Sequence, residues 1–458
     1  MSPFLGVSGL GGPGSLIGAS LPGTNLSENY WVTKVEGSSI NGYAVTVDDD
    51  GNVFFGGGNA MAGTGDTALI GKLNIDGSHA WSRAFTSDGS GSEYFLGMDV
   101  DSSGNVYAVG WCNNSSFTNG SNDAIIVKYD TDGNLQWQRS LGHNSTDRAY
   151  EIHIDSSDNI FIVGNTTQSG NGYILVAKYN TSGTLQWQNS FGDSVETYGY
   201  GITSDSSGNL YVCGPHFTAD RKTSVFKLNS SGTVQWARKI TNPTSSGDVF
   251  GTNIAVDSSG NVYVCMSGEG SGHASEWRIV KLDTSQNISW ERNLNPSGSS
   301  EVFGIRIDSG GDVIVGGYAH DGTNIQLTVA KWSSSGTYQW VNKVNTMNSS
   351  VTKRDTYTYD MEIDREDNVY LIGTTYGDGQ GLNVAKMPGD ESLNGTFKTA
   401  GFGYVEYSSA THSISTGQSA LTIASYTPTS VTPTLTNLTS SLTSSSISPT
   451  IETGTLLP

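Results

Sequence analysis

Seven aspartates, Asp48, Asp101, Asp155, Asp205, Asp257, Asp308 and Asp364, stand at steps of 53, 54, 50, 52, 51 and 56 residues, and each closes a short alternating segment. A Gly/Asn turn follows and an aromatic-aliphatic segment returns, as in DSSGNVYAVG at 101–110, DSSDNIFIVG at 155–164 and DSSGNVYVCM at 257–266. A period this steady means one supersecondary unit copied along the chain, and it restricts the fold more than any other feature. A second series runs in phase: Lys72, Lys128, Lys178, Lys227, Lys281 and Lys331 each stand nine residues before Trp81, Trp137, Trp187, Trp236, Trp290 and Trp340.

Within one unit the pattern is four short strands, here called a to d. In the second unit they fall at 94–101, 105–110, 123–130 and 134–141, rich in β-branched or aromatic residues and bounded by Gly, Asn, Asp and Ser. The a-to-b turns (SSG, SSD) and c-to-d turns (TDG, TSG, SSG) are short enough for antiparallel hairpins with one residue at positive φ. No helical period appears. Four-stranded antiparallel units repeated seven times predict an all-β chain, a seven-bladed β-propeller closed on itself.

The seventh unit supplies strand b at 368–373 and strand c at 382–387, but no tryptophan follows Lys386 at nine residues. The chain opens instead with an orphan d strand, ENYWVTKVEG at 28–37, whose Trp31 lies 17 residues before Asp48, against 18 from Trp137 to Asp155. The N-terminal strand is therefore expected to close the last blade by pairing 29–36 with 382–387, leaving no gap in the ring. The organisation expected is a Gly-rich N-terminal arm at 1–28, the propeller at 29–388 and a Ser/Thr-rich C-terminal arm at 389–458.

The D-x-x-G-N-x-Y turn, the aliphatic strand ending in Lys and the G-x-x-x-W strand resemble the seven-bladed β-propeller repeat family over about residues 29–388. That resemblance implies the fold and no single activity. Two units depart from it: Ser285-Gln286-Asn287 stands where a turn glycine is usual, and Asp312 where Asn is usual.

With a formal net charge of -20 and only 14% charged residues, the chain would be repelled by nucleic acid and by anionic membrane surfaces, so neither is expected as a partner. No run of eighteen apolar residues occurs, so no membrane insertion is expected. The first basic residue is Lys34, so the N-terminus is read as a retained arm rather than an export signal. Cys112, Cys213 and Cys265 are odd in number and form no CxxC pair; they read as small buried hydrophobes.

Residues repeated once per blade read as structure. The Asp and Lys series are expected to form an ion pair or to cap turn amides, Asp101 with Lys128 and Asp155 with Lys178 among them. Arg83, Arg139, Arg238 and Arg292, each two residues after a tryptophan, belong to blade packing. The turns DDDGN at 48–52 and DTDGN at 130–134 invite a calcium reading, but sister turns lack the paired carboxylates, and Asx-turns account for them. The seven histidines show no ligand spacing, so neither a metal nor a cofactor is expected. The docking motif of quinoprotein dehydrogenases and the boxes of sialidases are incomplete or missing, so the chain is expected not to be an enzyme.

Variation collects in the b-to-c loops, which carry Trp111, Phe117, Tyr173, Phe217, Trp277, Tyr318 and Tyr376 among Asn, Ser, Thr and Gly. Loops held by a rigid scaffold commonly carry function, and this mixture suits stacking and hydrogen bonding to a glycan or a protein surface. These seven aromatics are the candidate ligand-binding residues. The C-terminal arm is poor in charge and cannot bury a core of its own, yet 399–409 and 419–426 alternate, so strands are expected there that order only against an assembly partner. Removing 411–458 is expected to leave the melt unchanged.

The organisation resembles propeller-bearing phage structural proteins: a rigid ring, arms at one pole and variable loops at the other. It implies a structural or recognition protein of a virus particle, a tail fibre, appendage or decoration protein. Such a protein would join other virion proteins through its arms, in an oligomeric assembly, and meet a host-surface glycan or protein with its loops. The alternative is a bacterial surface or secreted propeller that binds polysaccharide, with a polysaccharide-acting enzyme behind it.

Overall fold

The computed structural model describes residues 30–36, 40–61, 65–86, 91–113, 121–142, 145–168, 170–192, 195–218, 221–241, 248–269, 276–295, 298–347, 354–376 and 381–390, together with strand segments between 395 and 455. It is all-β: seven antiparallel sheets arranged as the blades of a propeller. The second blade shows the plan, with Glu93–Val100, Val106–Cys112, Asp123–Tyr129 and Leu135–Gly142 hydrogen-bonded in sequence order. The first strands of neighbouring blades pack on one another around a central channel.

The alternation in each strand buries both faces, because each blade is covered by the next. Seven apolar clusters result, one per interface: Phe54, Ile70 and Phe85 of blade one meet Phe95, Val106 and Val127 of blade two. Trp31, Val35, Val45, Val53, Tyr370 and Val384 join blades seven and one in the same manner. Closure is as expected: Trp31–Glu36 pairs with Gly381–Met387, Trp31 opposite Lys386 and Glu36 opposite Gly381. The three cysteines are fully buried.

The repeated residues hold turns and joints. Asp101 Oδ1 accepts from the amides of Ser103 and Asn105, while Oδ2 accepts from Tyr107 Oη at 2.9 Å and Lys128 Nζ at 3.2 Å. The ion pair recurs as Asp48–Lys72, Asp205–Lys227, Asp257–Lys281, Asp308–Lys331 and Asp364–Lys386, at 2.5 to 3.9 Å. Asp155 and Lys178 are not paired; Lys178 lies 5.2 Å from the centre of the Phe161 ring instead. Asp48 and Asp130 likewise cap the amides of their own turns, the Asx geometry that also explains their acidic neighbours.

Tryptophans and arginines pin one blade to the next. Trp81 Nε1 donates to Thr131 O and Arg83 Nε to Gly133 O, with the guanidinium over the indole. Gly133 lies at φ 76°, and a Cβ there would fall 2.6 Å from Trp81, so this turn needs glycine for both conformation and space. Where Gln286 takes the glycine's place it also adopts positive φ, and its side-chain oxygen accepts from Arg238, replacing the lost joint. Asp158 and Asp367, at positive φ in two a-to-b turns, accept from Ser102 and Ser309 of the preceding blades.

The C-terminal segment departs from the sequence reading. Its strands add to the outer edge of every blade in reverse order around the ring: Gly403–Ser409 on blade six, Ser413–Ser415 on five, Thr422–Ser425 on four and Thr429–Val431 on three. Thr436–Thr439 and Thr443–Ser446 follow on blades two and one, and Thr450–Thr455 ends the circuit on Trp31–Glu36 of blade seven. Each d strand otherwise presents unpaired amides and carbonyls to solvent, and a Thr-rich strand satisfies them without needing a core of its own. The strands expected to form against an assembly partner are thus formed against this chain's own blades.

Candidate functional site

The innermost strands build the site. In blades one, two, three, five, six and seven the ladder skips one residue, respectively Tyr43, Leu96, Tyr150, Thr252, Phe303 and Tyr359. Each skipped residue stands five positions before its blade's repeat aspartate, and Tyr200 occupies the same position in blade four. A bulge releases a residue from pairing and re-aims its side chain. Here all seven line one cavity at the upper end of the channel, on the side of the b-to-c loops, enclosing about 480 Å³. That size lies within the range of small-ligand sites, roughly 300–1,000 Å³.

From this cavity outward the rings touch in two runs. Tyr376 packs edge-on against Tyr357 at 5.3 Å, Tyr357 against Tyr318 at 4.9 Å, and Tyr318 leads through Phe303 to Tyr359 and Tyr43. Tyr43 meets Tyr94, which stacks on Trp111 at 4.9 Å, and Arg148 covers Trp111. Beyond it come Tyr150, Tyr198, Tyr200 and Phe217, and Arg221 bridges Phe217 to Phe250. Burial, then neighbouring acids, hydroxyls or rings of like charge, pushes the phenols of Tyr94, Tyr318 and Tyr359 above their ordinary value, so they are neutral hydrogen-bond donors at any physiological pH.

Beneath the aromatic ring the channel is ionic. Glu151 and Asp360 line the aromatic cavity, and Asp99, Glu151, His153, Arg306 and Glu362 line a second volume of about 360 Å³ below it. Glu362 holds Arg306 through two bonds of 2.9 Å. Asp99 accepts from the amides of Val100 and Ile154, and Asp360 from those of Met361 and Val45, so each carboxylate ties its own blade to the next. Burial raises Asp99 and Asp360 to about 7 and Glu151 well above the carboxylate range, and lowers His153 to about 4.

Of the residues chosen from the loops, Phe217 lines the cavity. Trp111, Tyr318 and Tyr376 belong to the aromatic series, Tyr376 being 41% exposed. Tyr173 is half-buried. Trp277 is 0% exposed, donates to Tyr318 O and packs among Val302, Val313 and Ala319, so it is a core residue rather than a ligand platform. Phe117 lies outside the described residues. The residues that sequence reasoning missed are those of the innermost strands, Tyr43, Tyr150, Tyr200, Phe303 and Tyr359 above all. Their signal was an aromatic at one fixed offset from the repeat aspartate. Among the described residues no group of three or more His, Cys, Asp or Glu has metal-binding geometry.

Residues 235–265, from the last strand of blade four through the first two strands of blade five, match a family model described as a beta-propeller repeat. No curated protein matches the sequence. Among solved structures the chain is similar to a Drosophila complex of Plexin A with Semaphorin 1b, at 8% identity over 77% of this chain and 86% of that one, TM-score 0.43. It is similar also to the polysaccharide lyase Uly1, at 10% identity over 82% and 94%, TM-score 0.46. A third is the NanB sialidase of Streptococcus pneumoniae, at 10% identity over 79% and 70%, TM-score 0.43. None of these scores reaches 0.5, and the fold rests on the strand ladders of the chain itself.

Proposed function

We propose that this propeller is a non-catalytic recognition module that binds a glycan in the aromatic mouth of its central channel. The observation that carries the reading is the seven aromatic side chains that line a cavity of about 480 Å³. Aromatic faces stack on the C–H faces of sugars, and neutral tyrosine hydroxyls with Asn253, Thr252 and Ser267 supply directional hydrogen bonds. The repeat positions that build blades are nearly uniform, whereas the channel positions below the aromatic layer, Thr46, Asp99, His153, Thr203, Ala255, Arg306 and Glu362, differ from blade to blade, which suits an asymmetric ligand better than a structural filling.

The ring would serve as the receptor-reading part of a virus particle, as a tail fibre, appendage or decoration protein, or alternatively of a bacterial surface. Electron microscopy with a gold-labelled antibody against the ring distinguishes the two settings. The binding reading is tested by calorimetry against an oligosaccharide panel with the intact protein and with Tyr200→Ala/Tyr359→Ala. Loss of two stacking rings is expected to weaken binding about tenfold or more. Silence across the panel, or turnover of any member, overturns the reading.

A further inference from the structure

The aromatic cavity has an acidic floor. Five carboxylates, Asp99, Glu151, Glu301, Asp360 and Glu362, line the two channel volumes against two guanidiniums, Arg306, which Glu362 already occupies with both of its oxygens, and Arg221, which pairs with Asp248 at 3.6 Å. Asp360 spends one acceptor site per oxygen on backbone amides, and Glu151 gives one oxygen to Ile152 N. A carboxylate has about four acceptor sites, so both keep capacity toward the cavity. Directly above stand Tyr43, Tyr150, Tyr200, Phe303 and Tyr359. Aromatic rings attract a cation through their quadrupole, most strongly when it is desolvated.

We infer that the ligand's deepest group is a cationic amine: the glycan carries an unacylated amino sugar whose ammonium enters the aromatic ring and rests against Glu151 and Asp360. The inference rests on the glycan reading and names its chemical class. An acidic sugar would oppose the ionisation of both carboxyls, and a neutral one would leave them without a charge partner from the ligand. His153 lines the lower volume with Glu151 and is held neutral by burial and by Arg306, so it does not compete as the cation. In the free protein burial keeps protons on the Glu151 and Asp360 pair, and a bound ammonium displaces them. Binding of the amine is therefore accompanied by proton release.

The test is calorimetry of the full chain at about pH 5, below the pKa of a sugar ammonium, which neighbouring oxygens hold under that of lysine, with a glucosamine tetramer and its fully N-acetylated counterpart. Titrations run in two buffers of different ionisation enthalpy at physiological salt. The expected result is at least tenfold tighter binding of the amine form, with net proton release for that form alone. Glu151→Gln/Asp360→Asn is expected to retain the N-acetylated tetramer and lose both the preference and the proton release. If that double variant does not fold, Asp360→Asn alone together with the wild-type proton count decides. Binding of the N-acetylated tetramer as tight as the amine, or amine binding with no proton release, overturns the inference and leaves the glycan reading standing. Absence of binding to both tetramers and to the rest of the panel overturns the two together.

Discussion

The indole N–H of Trp31 donates to the carbonyl of Ile75 at 3.0 Å, the same joint that Trp81 makes to Thr131 and Trp137 to Thr181, also at 3.0 Å. Residues from the start of the chain thus complete blade seven and then grip blade one through the same indole bond, with Thr33 in the arginine's place donating to Gly77 O. Trp31 is 0% exposed.

Trp31→Ala is expected to destabilise the whole ring by about 3–5 kcal/mol, the range for truncating a fully buried large aromatic. Removal of residues 1–36 should go further, because it also opens the edge of Gly381–Met387. Chemical denaturation monitored by tryptophan fluorescence checks both. A truncated protein that melts with the intact one would show that the ring does not depend on this strand.

The C-terminal circuit reverses an expectation drawn from composition. Because segments between 403 and 455 pair with the outer strand of all seven blades, a chain ending at residue 394 should melt lower and self-associate through its exposed edges. Differential scanning calorimetry and light scattering measure the two effects. An unchanged melt and a monodisperse monomer would mean that the outer strands contribute nothing to the ring.

Among the repeat Asp–Lys pairs, Asp308 with Lys331 is the shortest at 2.5 Å, and the carboxylate is nearly buried. Asp308→Asn is expected to lower stability by about 1–3 kcal/mol, since it leaves a partly buried ammonium with Asp312 alone, at 3.7 Å. A chelator should leave the melt of the wild type unchanged. A large loss in chelator would instead revive a cation role for the Asp-rich turns.

The channel carboxyls set a pH dependence opposite to the usual acidic-protein pattern. Asp99 and Asp360, raised to about 7, and Glu151, raised further, hold protons in the folded state that the unfolded chain has already released above about pH 4. The folded protein binds more protons through that window, so stability falls as pH rises from about 4 to 7. His153, lowered to about 4, works the other way between about pH 6.5 and 4, but it is one group against three. Below that, Asp101, Asp205 and Asp257, held low by hydrogen bonds to Asn, backbone amides and Tyr against their burial, lose their stabilisation as they protonate. The melting temperature should peak near pH 4–5 and decline toward pH 8, and Asp99→Asn/Asp360→Asn should flatten that decline.

The fold was legible because a propeller repeats its local chemistry. One Asp, one Lys and one Trp per unit each act within a blade or across one joint, so their spacing alone gave the blade count, the strand order and the orphan strand that closes the ring. The site was legible only in part. Trp277 and Tyr318 read alike as loop aromatics, yet one fills the core between blades five and six while the other packs edge-on against Tyr357 and beside Phe303, a difference fixed by side-chain direction after pairing. Tyr150 and Glu151 read as an ordinary stretch of strand until a bulge turns both toward the channel. Charges scattered over some 260 residues, from Asp99 to Glu362, become one cluster because closure brings seven first strands around a single axis. The Ser/Thr-rich segment needed no hydrophobic pattern to become strand. Its partner is a set of open edges that exists only once the ring has formed.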